Sequence, residues 1–109
     1  ANAQLLDFQS KSNLERVRVI NVNGSSRYSC PAGYTSWLGY WEQKSGKIAR
    51  RCSAIDCHRY GRDNLVGAHV RKANSFDRSW YIVPLCKVCN TRQGEFWVDE
   101  ELIPVPSNI

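Results

Sequence analysis

RCSAIDC (residues 51–57), GAHV (67–70) and WYIVPLCKVCNTR (80–92) decide how this chain is read. Four of the five cysteines lie in this span, as Cys52-x4-Cys57 and Cys86-x2-Cys89, with 28 residues between the pairs. Two close pairs brought together by a fold supply the four thiolates that a tetrahedral zinc ion takes. Two disulfides, or buried thiols without a metal, are the competing readings of the same residues. Paired short spacings mark metal sites more sharply than cysteine number does, so a structural zinc on Cys52, Cys57, Cys86 and Cys89 is the expectation. His58 follows the first pair directly and is an alternative ligand to Cys57.

The 109 residues suit one domain, or one domain with an irregular arm. A chain this short buries a modest core, and zinc ligation coupled to folding would add on the order of 10 kcal/mol. No apolar run approaches the roughly 20 residues of a membrane span, and no signal segment opens the chain. A reducing, cytoplasmic setting is therefore expected, with no membrane partner and with Cys30, the odd cysteine, kept as a thiol. The chain contains no Met, which leaves room for a preceding segment.

Net charge is +5, and it is unevenly spread. Residues 47–93 carry +7, residues 94–109 carry −4, and the first 46 residues carry +2. The excess sits on the proposed metal module and is richer in Arg than in Lys, which suits bidentate contact with phosphate.

Outward from the cysteines, the rest of the chain reads as follows. Leu65–Val70 and Trp80–Leu85 are β-rich runs that pair as a hairpin, with a polar, basic loop at 71–79 between them. From Cys86 to about Trp97 the pattern fits a helix, with Val88, Phe96 and Trp97 as buried positions and Gly94 as a weak point. The tail, with Pro104 and Pro106, is expected to be extended. Upstream, residues 1–16 form a short helix or arm with a Ser12-x-x-Glu15 capping match. Val17–Val22 is a strand, Asn23-Gly24 a turn, and Arg27–Cys30 the returning strand of a hairpin. YTSWLGYW (34–41) is the most aromatic stretch; it either packs into the core or presents rings to bases or a partner protein. Two parts result: an N-terminal extension over 1–46, packed on a metal module over 47–109. The fold class is α+β.

Knuckle, β-hairpin and then a helix bearing the second Cys pair is the order of a treble-clef zinc finger. Within that group, residues 52–92, about two-fifths of the chain, resemble the HNH endonuclease superfamily and its ββα zinc module. Ala68-His69-Val70 resembles the strand motif of that family, and Leu85-Cys86-Lys87-Val88-Cys89-Asn90 resembles its helix-opening motif. The resemblance implies His69 as general base toward a phosphodiester and Asn90 at the helix position that holds a divalent cation such as Mg²⁺. The pattern departs from the family at Ala68, which offers no ligand atom, and at Tyr81, where the family's middle Asn belongs. Asn74 is a displaced substitute for that Asn.

With a cation ligand missing, the functional expectation is a zinc-stabilised, HNH-like module that binds nucleic acid without cutting it. DNA is placed ahead of RNA. Arg71, Lys72, Arg78, Lys87 and Arg92 would contact phosphates. The alternatives are a metal-dependent nuclease acting through His69, and a protein-interaction module that uses the Tyr34–Trp41 cluster.

Overall fold

The computed structural model describes residues 16–24 and 28–106. The arm expected over the first 16 residues lies, but for Arg16, outside that range. In chain order come β1 (Val17–Asn21), α1 (Trp37–Ser45), β2 (Leu65–Lys72), β3 (Tyr81–Cys86), β4 (Glu95–Val98) and β5 (Ile103–Pro104), with single 3₁₀ turns at Arg62–Asn64 and Cys89–Thr91. The strands make one antiparallel sheet in the order β4-β1-β2-β3-β5. The fold is α+β, as composition and pattern predict.

The hairpin of β2 and β3 forms in the expected place, pairing Leu65 with Cys86 and Val70 with Tyr81. Pro84 lies opposite Gly67, beyond the point where β5 pairs with Tyr81 and Ile82. Its carbonyl accepts from Ser53 N on the side away from β2, so its missing N–H falls on that side too and costs the β2–β3 ladder no bond. Gly67 is required by packing. A Cβ there would stand 2.5 Å from Leu38 N and 2.5 Å from the Trp37 carbonyl carbon, so its absence lets α1 lie directly on β2.

α1 itself was not legible as a helix in the aromatic stretch. Ser36 caps its start, its Oγ accepting from Gly39 N at 3.0 Å, and Gly46 ends it at φ +72° with its N–H donating to Glu42 O. Tyr40 and Trp41 are buried, and Trp37 is half-buried. Trp41 Nε1 donates to Glu101 O at 2.7 Å and Trp37 Nε1 to Tyr28 O at 2.9 Å, so both indole donors are satisfied within the fold. The core reading of this cluster is the one its burial supports.

Two expectations are corrected. β1 does not pair with a strand at 28–30, because its two edges are taken by β2 and β4; Arg27 lies outside the described residues. The α-helix expected from Cys86 to Trp97 does not form either, so the ββα order of the resemblance is not reproduced. Cys89–Thr91 is a single 3₁₀ turn, Gly94 takes φ +80°, and Glu95–Val98 is a strand with alternating exposure. Phe96 and Val98 are buried on one side of it, while Trp97 is 45% and Val88 66% exposed. Period-two burial of Phe96 and Val98 against β1 wins over helix propensity.

The segment after Cys52 bridges β3 and β4. Ser53 N donates to Pro84 O on β3 at 2.9 Å, while Ser53 O accepts from Asp99 N at the end of β4 at 3.1 Å. Ala54 bridges Val98, and Ile55 N donates to Trp97 O at 3.1 Å. The segment after Cys52 thus closes the sheet into a barrel-like layer. Inside are Val19, Val70, Val83, Leu85 and Val98, all at 0% exposure. Among the described residues, no helix is long and apolar enough to cross a membrane.

Candidate metal centre

Closure of the sheet brings the two cysteine pairs to one point. Cys52 and Cys57 flank a tight turn in which Cys57 N and His58 N both donate to Ala54 O, at 3.0 and 3.1 Å. The turn is pinched by Cys52 N donating to Arg59 O at 2.8 Å and by a bridge between Arg51 and Tyr60. Cys86 ends β3 and Cys89 begins the 3₁₀ turn that follows. All five cysteines are unbridged in this structure, which gives the disulfide reading no support.

The sulfurs of Cys52, Cys57, Cys86 and Cys89 all lie within 4.8 Å of one another, and Cys57 Sγ is 3.7 Å from Cys86 Sγ. Zn–S bonds of about 2.3 Å in a tetrahedron set the sulfurs about 3.8 Å apart, so the cluster is of the size that one metal ion spans. Four thiolates in that arrangement are a donor set for zinc or iron. His58 is not among them: its Nε2 lies 3.1 Å from Asp99 Oδ2 at an exposed position.

Electrostatics at the site are divided. Burial raises the Cys52 thiol and lifts Cys89 well above the ordinary range. Burial also opposes ionisation of Cys86, but the Cys89 N–H, 3.4 Å from its sulfur, and the neighbouring thiols outweigh it and bring Cys86 down to about 7. A cation would relieve the strain of packing four such groups together, since bound thiols are deprotonated outright.

Residues outside the cysteines hold the two loops together. Arg92 makes a bidentate pair with Asp56, at 2.8 and 3.1 Å, and its guanidinium holds the Asp56 carboxyl below its usual range. The same guanidinium lies 4.6 Å from the Phe96 ring centroid. Asn21, at the end of β1, donates from Nδ2 to Cys89 O at 2.9 Å and to Arg92 O at 3.0 Å. Arg51 pairs with Asp99 at 3.0 Å. Asp56 and Arg92 carried a faint signal by flanking the cysteine pairs with opposite charge. Asn21, 68 residues from its partner, carried none.

The two family-derived residues differ in their surroundings. His69 is 5% exposed, with its ring 4.8 Å from that of Trp37 and 5.9 Å from that of Trp80, both edge-to-face. Its Nε2 has no hydrogen-bond partner among the described residues, and burial holds its pKa below that of ordinary imidazole. His69 points to the α1 side of the sheet. Its neighbour Val70 is registered with Asn21, which grips the cysteine turn from the other side. Asn90 is exposed on that turn. Tyr81 is turned to the hairpin loop, its hydroxyl donating to Asp77 Oδ2, and Asn74 sits exposed in the same loop at φ +51°.

Of the five cations read as phosphate contacts, Arg92 is engaged by Asp56 and Lys72 lies 3.7 Å from Asp77. Arg71, Arg78 and Lys87 have no carboxylate within ion-pair distance among the described residues, and neither do Arg50 and Arg59. No family model matches this chain, and no curated protein or solved structure aligns with it.

Proposed function

We propose that the chain is a zinc-stabilised, HNH-like module that binds nucleic acid and does not cleave it. The observation that carries the reading is a set of five cations without carboxylate partners among the described residues: Arg50, Arg59 and Lys87 close in sequence to the four cysteines, and Arg71 and Arg78 at the far end of the β2–β3 hairpin. Zinc is the metal that closed four-cysteine sites of this kind take for structural ends. It ties the turn after Cys52 to the end of β3 and so fixes the loops that present Arg59 and Lys87. The cations would neutralise backbone phosphates and release counterions. A nuclease reading lacks support, because a base must reach its substrate and His69 is enclosed by Trp37 and Trp80.

Two measurements test this. Native mass spectrometry should find one zinc per chain. Anisotropy with a labelled oligonucleotide should show affinity falling roughly 10²- to 10³-fold between about 50 and 200 mM salt, as five phosphate contacts require. Plasmid incubated with the protein and Mg²⁺ should stay intact. Absence of binding at low salt, or a flat salt dependence, would remove the reading.

A further inference from the structure

α1 covers the part of the sheet face that holds Gly67 and His69, and among the described residues no helix lies over the β1–β4 part of that face. Register fixes what the β1–β4 part shows. Arg71, two residues past His69, lies beside Ile20; Arg18, two residues before Ile20, lies beside Trp97. Trp97 is 45% exposed, and the Arg18 guanidinium sits 5.5 Å from its ring centroid, steadied by Glu95 at 3.3 Å.

The β2–β3 loop leaves the sheet at the same place, since Ala73 N donates to Arg18 O at 2.9 Å. Phe76, three residues on and so within about 11 Å of Ala73, is 103% exposed, the largest exposure of any apolar side chain described. The loop around it is fixed. Asp77 N donates to Ser75 Oγ at 3.0 Å, Ser79 N donates to Asp77 Oδ1 at 2.9 Å, and the Tyr81 hydroxyl donates to Asp77 Oδ2. Lys72 approaches the same carboxylate at 3.7 Å. Asp77 is thus engaged by its own loop and by Lys72, while Phe76 and Arg78 are exposed, Arg78 without a carboxylate partner among the described residues.

We infer that this surface stacks the bases of single-stranded nucleic acid, on Trp97 and Phe76, with Arg71 and Arg78 on the intervening phosphates. The inference rests on the nucleic-acid reading above and narrows it to a strand type. Exposed rings interleaved with unpaired arginines match a chain that alternates flat bases with anionic phosphates. A duplex keeps its base faces stacked inside and offers these rings nothing. An anionic bilayer has the same charge, but stable anchoring takes more apolar area than one projecting side chain provides.

The test measures binding of labelled oligo-dT, of a duplex of equal length and of phosphatidylserine vesicles, for the wild type and for Phe76→Ala, Phe76→Trp and Trp97→Ala. Phe76 contributes nothing to the core, so Phe76→Ala keeps the fold, which near-ultraviolet circular dichroism verifies. The wild type should prefer the single strand. Phe76→Ala should weaken that binding about tenfold with an unchanged salt slope, and Phe76→Trp should retain it. Trp97→Ala should act in the same direction. Equal single-strand affinity for wild type and Phe76→Ala would overturn the stacking role and leave the nucleic-acid reading standing. Vesicle binding lost in Phe76→Ala, with oligonucleotide binding unchanged, would assign the loop to membranes instead. No binding of either nucleic acid by the wild type would overturn both proposals together.

Discussion

His69 shows how one residue's surroundings override its motif. By sequence it stands where a general base would, yet Trp37 and Trp80 enclose it and leave Nε2 without a partner among the described residues. Charging it there would bury a cation without an acceptor. Burial lowers its folded pKa, so the unfolded chain takes up a proton first as pH falls. The contribution to stability is whole above the unfolded pKa of about 6.5, shrinks as pH drops below it, and levels off at the folded pKa. Urea midpoints measured between about pH 7 and pH 5 should therefore fall more steeply for the wild type than for His69→Phe. Thiolate ligands also bind protons in acid, so the difference between the two proteins is the relevant quantity. Parallel slopes would show that the ring takes up its proton equally in the folded and unfolded states, which would overturn the burial effect. The presence of His69 on a strand was legible; its enclosure was not, because Trp37 arrives from a helix 32 positions earlier in the chain.

At the level of elements, the turn after β3 is the informative case. Its cysteines were read correctly as neighbours of Cys52 and Cys57, yet the segment was given the wrong conformation. Nothing local forbids a helix over Lys87–Gln93; what selects the 3₁₀ turn is the demand that both sulfurs face the first pair while Phe96 and Val98 reach the core. Asn21 then serves as an external cap, satisfying the carbonyls of Cys89 and Arg92 that a longer helix would have used internally. Asn21→Ala should cost about 1–2 kcal/mol, since Arg92 O loses the Asn21 amide and Cys89 O is left with the Arg92 N–H alone. A chelator competition should also show weaker metal retention in that variant. Wild-type urea midpoint and metal affinity in Asn21→Ala would mean that the turn holds itself.

For the molecule as a whole, charge and closure both depend on distant pairings. The acidic tail that looked separate in sequence folds back on the basic module: Asp99 meets Arg51 and His58, and Glu100 and Glu101 meet Lys47, while Glu95 meets Arg18 of the N-terminal part. The basic surface is therefore smaller than the +7 of residues 47–93 suggests. Closure runs through Ser53, bonded to β3 and to the end of β4 immediately beside Cys52 of the candidate metal centre. Removing the metal should loosen that seam first. In hydrogen exchange with a chelator present, the amides of Ser53, Ile55 and Asp99 should lose protection before those in the middle of the β2–β3 hairpin. Simultaneous loss throughout would make metal release and global unfolding one event.

Local chemistry determined what the sequence could declare unaided: four thiols at metal-binding spacing, a β-rich hairpin between them, and an excess of arginine around them. Those properties belong to residues and short runs, and they survive any arrangement of the rest. The tertiary structure alone decided which cations stay unpaired, which face His69 looks toward, and that Trp97 and Phe76 remain outside while Trp41 goes in. Each of these outcomes is a competition between groups far apart in the chain, settled by register across the sheet and by the close approach of α1 at Gly67.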